Sequence, residues 1–286
     1  MATLKQIRQR IRTAKNIQQI TRAMKLVAAA RLKRATDRVL EARPYSDKLK
    51  DVMAALARAG DLPSNPLMEV RPIKKTCLIV VTSDRGLAGS YNTSIIRAAS
   101  DAVKASETPV SLITVGKKGN GFFQRRGHEI VANFSMPSAG ARLQDAIDVS
   151  EKAKALFLDG SVDAIHICYS KFYSAMRQVP QVVQLLPIEP PAQAEDELAH
   201  VDMIMEPSPG AILSALLPRY FQTLVWQALL EATASEFGAR MTAMTSATDN
   251  AGKMIDSLTL KANRERQAAI TKEILEVVGG AEALKS

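Results

Sequence analysis

Apolar residues recur every three or four positions from the beginning of the chain. They lie at Ile7, Ile11, Ala14, Ile17, Ile20, Met24 and Val27, and the spacing continues at Leu32, Ala35, Val39, Leu49, Val52 and Leu56. This periodicity predicts one long helix over about residues 3–59, and because the average step is slightly below 3.6 residues, it favours a left-handed coiled coil. Pro44 predicts a kink or a local break in this helix, and Gly60 predicts its end.

A second long helical pattern lies at the other end of the sequence. Pro-Ser-Pro-Gly at 207–210 is a helix-start signal, and Pro218 predicts an early kink. Apolar or small residues then recur at Met244, Ala251, Ile255, Leu258, Ala262, Ala269, Ile274 and Val277. We predict a helix over about 210–284 that pairs antiparallel with the first, because small residues in both allow close backbone contact. Two separate bundles of short helices are the alternative.

The middle of the chain, about 74–206, alternates between strand-like and helix-like segments. Strands are predicted at 74–84, 110–116, 127–134, 163–173 and 178–188, the last two joined by a turn near Ser174. Helices are predicted at 92–106, capped by Asn92 or Thr93, and at 141–160, ended by Gly160. An exposed loop at 190–200 and a short strand at 201–207 complete the segment. The alternation is typical of an α/β domain with a mostly parallel sheet, so the predicted domains are 1–60, 74–206 and 207–286.

Charge is concentrated at the N-terminal end. The 286 residues carry a net charge of +9, but residues 1–58 alone contain 15 Lys or Arg against 4 Asp or Glu, and the first acid is Asp37. Such a segment favours an acidic partner: nucleic acid, a lipid surface or a carboxylate-rich protein. No secretory signal peptide and no apolar run of about 18 residues are expected.

Candidate chemistry is sparse. The loop Ser-Asp-Arg-Gly-Leu-Ala-Gly-Ser-Tyr-Asn at 83–92 and the glycines of 116–121 lack the spacing of nucleotide-binding loops, so a tight loop or a docking surface is the better interpretation of 83–92. His128, His166 and His200 lack metal-ligand spacing. Cys77 and Cys168 lie inside apolar runs and are predicted to be buried core thiols. We therefore predict no catalytic, cofactor-binding or metal-binding residues.

Three segments together resemble the gamma subunit family of the rotary, proton-translocating ATP synthases. They are 7–35, the loop at 83–92, and the long stretch 239–284. Two departures are small: Ala88 stands where many members have Cys, and Lys-Ala-Asn-Arg-Glu-Arg-Gln-Ala-Ala replaces the commoner Tyr-Asn-Arg-x-Arg-Gln-Ala. The insertion that holds a regulatory cysteine pair in chloroplast members is absent, so the resemblance implies no such thiol regulation.

The resemblance implies an antiparallel coiled coil with an inserted Rossmann-like, mostly parallel sheet domain. It implies a non-catalytic central-stalk rotor inside three alpha and three beta subunits, with the α/β domain docking on epsilon and the membrane c-ring. Implied rotor–stator contacts are Met24, facing an acidic loop of beta, its neighbour Lys25, and Arg266, Gln267 and Thr271. The complex would lie at the cytoplasmic face of the bacterial plasma membrane, with catalysis on beta.

Two other functions would use the same features differently. A basic coiled coil that binds nucleic acid would explain the charge but not the α/β segment, and it would bind DNA in a strongly salt-dependent way. An α/β enzyme with helical extensions would need a small ligand at the 83–92 loop.

Overall fold

The computed structural model describes residues 3–58, 65–189 and 208–283. Its helices are α1 (Leu4–Arg58), α2 (Tyr91–Ala105), α3 (Lys117–Gln124), α4 (Leu143–Leu158) and α5 (Pro209–Ala283), with a short 3-10 helix at Pro66–Met68. Its strands are β1 (Thr76–Val81), β2 (Val110–Val115), β3 (Ile130–Phe134), β4 (Ala164–Phe172) and β5 (Gln178–Leu186). The predicted helix end at Gly60, the loop at 190–200 and the strand at 201–207 lie outside the described residues.

Both predicted long helices are confirmed, with 55 residues in α1 and 75 in α5. Pro44 and Pro218 lie inside α1 and α5, so Pro44 does not break α1. The chain divides into two compact units, one of residues 1–27 with 241–286 and one of residues 28–240. Each long helix therefore contributes to both units. The functional division into 1–60, 74–206 and 207–286 stays a prediction.

The first unit is an antiparallel pair of helices. The Thr248 hydroxyl donates to Thr21 Oγ1 over 2.9 Å, and a Cβ added at Gly252 would lie 3.1 Å from Nε2 of Gln18. The residue number falls along α1 as it rises along α5, which fixes the antiparallel direction. Within this unit the buried positions of α1 are Ile7, Ala14 and Thr21, a seven-residue repeat typical of a coiled-coil seam.

The seam departs from the predicted apolar stripe after Ala14. Ile17, Ile20 and Val27 are 48%, 59% and 52% exposed, whereas the polar Thr21 is 8% exposed. A strict seven-residue repeat from Ile7 leads to Thr21, and its hydroxyl is accommodated because Thr248 supplies a hydrogen-bond partner. Ile17, Ile20 and Val27 belong to the predicted apolar stripe but lie outside the buried seam of this unit. They form an apolar surface that α5 does not cover.

The second unit contains a five-stranded sheet in the order β3-β2-β1-β4-β5. Three of its four strand pairs are parallel, with Ile79 of β1 beside Ile113 of β2 and Ile167 of β4. The fourth pair, β4–β5, is antiparallel, and its strands are joined by a turn in which Arg177 N–H donates to Ser174 O. The predicted mostly parallel sheet is confirmed.

Side chains of β1 alternate between two apolar cores. Cys77, Ile79 and Val81 pack with α1, α4 and α5, whereas Leu78 and Val80 pack with α2 and α3. A strand buried on both faces is expected for a parallel sheet covered by helices. The same burial explains its continuous apolar sequence.

Helix α3 was not predicted, because its sequence contains two glycines and two lysines. Gly119 is tolerated for a packing reason: its N–H donates to Thr82 Oγ1 over 2.9 Å, and a Cβ there would meet the same oxygen at 2.9 Å. Close approach to the end of β1 therefore requires glycine at this point of the helix.

Candidate functional site

The loop at 83–92 is closed by its own side chains. Asn92 Oδ1 accepts the Ser83 N–H over 3.0 Å, and Asn92 Nδ2 donates to Ser83 Oγ over 2.9 Å. The N-cap of α2 is Ser90, which makes no side-chain capping bond. The prediction that Asn92 or Thr93 caps the helix was wrong, because the Asn92 side chain bonds to the start of the loop instead.

Asp84 joins this loop to the next βα connection. Its Oδ1 accepts the backbone N–H of Lys117 over 3.0 Å and that of Met136 over 3.1 Å. The Lys117 N–H, at the start of α3, is a donor that a bound phosphate would use, and here the protein's own carboxylate uses it. The arrangement supports the tight-loop interpretation over a nucleotide cradle.

The loop is fastened to α5 by two residues. The Tyr91 hydroxyl donates to the carbonyl of Ala232 over 3.1 Å, and Arg240 Nη2 donates to the carbonyl of Gly86 over 3.2 Å. Arg240 also forms an ion pair with Glu236, with 2.6 Å between Nη1 and Oε1 and side chains only 12% and 11% exposed. We call these five residues the junction.

Helix α1 reaches the α/β segment beside the junction. Arg31 Nη1 donates to the carbonyl of Ser138 over 2.7 Å. The guanidinium groups of Arg31 and Arg240 lie 5.8 Å and 6.0 Å from the ring centroid of Phe237. Cation–π contacts of this kind add to the attachment. Both long helices are thus bonded directly to the loops of the sheet domain.

Burial dominates the electrostatics of the junction. It raises the pKa of Glu236, and the Arg240 charge opposes that rise. It also raises the pKa of Tyr91, with the Glu236 charge as the second cause, so the hydroxyl keeps its proton and donates.

Cys77 and Cys168 are free and buried, as predicted, and burial raises the pKa of each thiol to about 12.

Tyr91→Phe is expected to destabilise the second unit by about 1–1.5 kcal/mol. The substitution keeps the ring but leaves the buried Ala232 carbonyl without its hydroxyl donor. Urea unfolding monitored by the fluorescence of the single Trp, Trp226, measures the change. Tyr45→Phe is the matched control, because Tyr45 is 58% exposed and its loss should change stability by less than about 0.5 kcal/mol. Equal effects of the two substitutions would contradict the assignment.

The predicted contact residues occupy two separate places in the first unit. Met24 and Lys25 are half-buried on α1, whereas Arg266, Gln267 and Thr271 are exposed on α5. The pairing of Thr21 with Thr248 puts Met24 opposite about residue 245, roughly 30 Å along α5 from Arg266. The structure therefore does not bring the two groups together.

The C-terminal part of α5 extends past its partner helix. The same register puts Leu4, the first residue of α1, opposite about residue 265. Every residue from Arg266 to Gly280 is exposed. Five of them are large and apolar, at 45–71% exposure: Ile270, Ile274, Leu275, Val277 and Val278.

Sequence reasoning missed the junction. Glu236 and Arg240 have the i, i+4 spacing of a helical ion pair, but that spacing is common on exposed helix faces. Only the sheet domain, packed against α5, makes this pair buried.

Within the described ranges, no group of three or more His, Cys, Asp or Glu residues could hold a metal ion, and no helix offers a stretch long and apolar enough to cross a membrane.

The fold and the junction define a class of protein: a two-helix coiled coil carrying an inserted α/β domain that is bonded to both helices. The sequence profile of the family described as ATP synthase matches residues 3–284. The ATP synthase gamma chain of Moorella thermoacetica is 47% identical over 285 residues, covering 100% of both chains. The chain belongs to the ATP synthase gamma-chain family. A gamma chain is a non-catalytic subunit of that complex.

Two solved structures share the fold. A chain in the central stalk and c-ring structure of Tetrahymena thermophila mitochondrial ATP synthase aligns with a TM-score of 0.60 and 23% identity, over 80% of this chain and 99% of that one. A chain in the Euglena gracilis mitochondrial ATP synthase structure aligns with a TM-score of 0.70 and 17% identity, over 98% and 94%.

Proposed function

We propose that this protein is the central-stalk rotor of ATP synthase. It couples proton flow through the membrane c-ring to ATP synthesis or hydrolysis in the hexamer of alpha and beta subunits. The observation that carries the proposal is the uncovered apolar surface of the first unit, on α1 at Ile17, Ile20 and Val27 and on α5 beyond Arg266. Grouped exposed apolar residues mark an interface with other proteins, and a surrounding sleeve of subunits would cover them.

The mechanism is mechanical. Rotation of the ring turns the α/β domain, and the helix pair turns with it because both helices are bonded to that domain through Arg31 and the junction. The helix pair is asymmetric, so each beta subunit meets a different surface at each angle. Differential contact energy in each orientation shifts the nucleotide affinity of beta in turn.

The five contact residues are proposed to act at two levels of the sleeve. Met24 and Lys25 would face an acidic loop of beta, since the surrounding α1 segment carries only cations up to Asp37. Arg266, Gln267 and Thr271 would contact a second loop, where α5 has just left its partner helix. The exposure of these side chains supports the proposal, because Met24 and Lys25 are half-buried and the three residues of α5 are exposed.

The remaining partners and the location follow from the same proposal. The segment 74–206 would dock on epsilon and the c-ring, and the stretches 1–60 and 207–286 would form the shaft. The complex would lie at the cytoplasmic face of the bacterial plasma membrane. Nucleic-acid binding gains no support from the comparisons.

Reconstitution tests the proposal directly. Alpha and beta subunits from the same source are mixed with and without this chain, and both ATP hydrolysis and co-elution are measured. One complex with a clear rise in cooperative hydrolysis is expected. Absence of both effects would reject the rotor role, and salt-dependent DNA binding would then be measured.

Arg266→Ala with Gln267→Ala is expected to reduce hydrolysis by the reconstituted complex several-fold while leaving co-elution intact. Losing two polar contacts worth about 1 kcal/mol each would change a rate by up to about 30-fold. Lys253→Ala is the matched control, since Lys253 is also exposed on α5 but lies on the paired stretch. Wild-type hydrolysis by the double variant would remove these residues from the mechanism.

A further inference from the structure

A cavity of about 420 Å³ lies between the sheet and α5 in the second unit. Tyr169 and Lys171 of β4 line one wall with Gln181 of β5, and Tyr220, Gln227 and Glu231 of α5 line the other. Alternation along the strands and the helical repeat of α5 direct these side chains to one space. The surrounding core is apolar, so this concentration of polar groups requires an explanation.

Glu231 is the unusual residue among those that line the cavity. Its side chain is buried, with 4% of the residue exposed, and Oε1 accepts a hydrogen bond from Gln227 Nε2 over 3.3 Å. Among the residues that the structure describes, none donates to Oε2, although that atom is buried. A buried carboxylate oxygen without a donor is strongly unfavourable. Glu231 Oε2 is therefore left without a hydrogen-bond donor from the described residues.

The neighbouring polar side chains do not supply this donor. Lys171 lines the cavity, but its Nζ lies over the ring of Tyr173, 5.5 Å from the centroid. The Gln227 Nε2 donates to the other carboxylate oxygen, Oε1, while the Gln227 amide oxygen accepts the Ser46 hydroxyl over 3.0 Å. Lys50 also lines the cavity, but its Nζ lies 3.7 Å from a carboxylate oxygen of Asp47. Gln181 donates its amide to the Tyr169 hydroxyl. Burial, followed by the Glu231 charge, raises the pKa of Tyr169, so its hydroxyl stays protonated.

We propose that this cavity binds a small organic cation whose protonated nitrogen donates to Glu231 Oε2. An amidinium or primary ammonium group supplies the donor and the compensating charge together. Apolar side chains in the same wall, such as Leu224 and Val183, would pack against the body of the ligand. Small-molecule sites typically combine such apolar lining with a few placed polar groups, and the volume lies in their usual range.

Benzamidine and its neutral isostere benzamide are the probes. Each is titrated calorimetrically into the full-length chain at neutral pH. Benzamidine is expected to bind with a dissociation constant of about 1 mM or tighter, and benzamide at least about tenfold more weakly. Glu231→Gln should remove the preference for the cation, whereas Glu151→Gln, an exposed carboxylate on α4, should leave it unchanged.

A second variant covers the case in which Glu231→Gln fails to fold. Val183→Trp adds bulk at a position that lines the cavity and is 39% exposed, and it should abolish benzamidine binding in a folded chain. Three results would each overturn the proposal: no binding of benzamidine up to about 10 mM, equal affinity for the two probes, or unchanged benzamidine affinity in either cavity variant.

Discussion

Arg240→Met is expected to destabilise the second unit by about 3–5 kcal/mol. The substitution keeps most of the side-chain volume but removes the cation that pairs with Glu236, leaving a carboxylate whose side chain is 11% exposed without its charge partner. The Gly86 carbonyl also loses a donor. Arg97→Met is the matched control, because Arg97 is exposed on α2 and its loss should cost less than about 0.5 kcal/mol. Urea unfolding followed by Trp226 fluorescence measures both.

The pH dependence of this deficit identifies its cause. Removing Arg240 takes away the charge that opposes burial, so the pKa of Glu236 rises further above its ordinary value of 4.5 in the folded state. The folded variant then holds a proton that the unfolded chain has lost, and its stability falls as the pH rises above about 4.5. The deficit should be smallest near pH 4 and grow towards neutral pH. A deficit independent of pH would indicate lost packing instead of an unpaired charge.

The two long helices and the parallel sheet were predictable because each follows from a local pattern. A repeat of three or four residues defines α1, and runs of apolar residues bounded by turns define β1 and β2. A local sequence pattern does not predict an element whose formation depends on tertiary contacts. Helix α3 forms although its sequence resembles a loop, because Gly119 packs on Thr82.

The coiled-coil seam shows the same limit within a single helix. The apolar stripe predicted for α1 contains Ile17 and Ile20 and leaves out Thr21, because the hydroxyl makes threonine polar. Only the partner residue Thr248 makes a buried Thr21 acceptable. The apolar residues outside the seam do not pack against the partner helix. Their exposure therefore indicates a surface for other proteins.

The contact residues and the junction differ in how they could be found. Met24 and Arg266 came from resemblance to a family, and nothing in their own chemistry distinguishes them from other surface residues. Glu236 and Arg240 were found only through their burial by the sheet domain. Sequence resemblance thus selects surface residues for proposed contacts with other subunits, whereas the structure identifies the buried bonds that attach the loop at 83–92 to α5 within the second unit.

Gly116→Ala is expected to destabilise the second unit by at least about 4 kcal/mol. Gly116 precedes α3 with φ +96°, a conformation that costs a residue with a Cβ about 1–3 kcal/mol. The added Cβ would also lie 2.2 Å from the backbone oxygen of Thr82. That oxygen cannot move aside cheaply, because Thr82 is bonded through its own N–H to the carbonyl of Val115 over 2.7 Å. The ends of β1 and β2 would have to separate.

Gly121→Ala provides a matched control on the neighbouring helix. A Cβ at Gly121 would have only Arg125 Nη1 within contact distance, at 3.6 Å, and alanine favours helix over glycine. This variant should be as stable as the wild type or up to about 1 kcal/mol more stable. The urea midpoint should therefore fall for Gly116→Ala and stay unchanged or rise for Gly121→Ala. Similar midpoints would mean that the close approach of Gly116 to Thr82 does not limit the stability of the second unit.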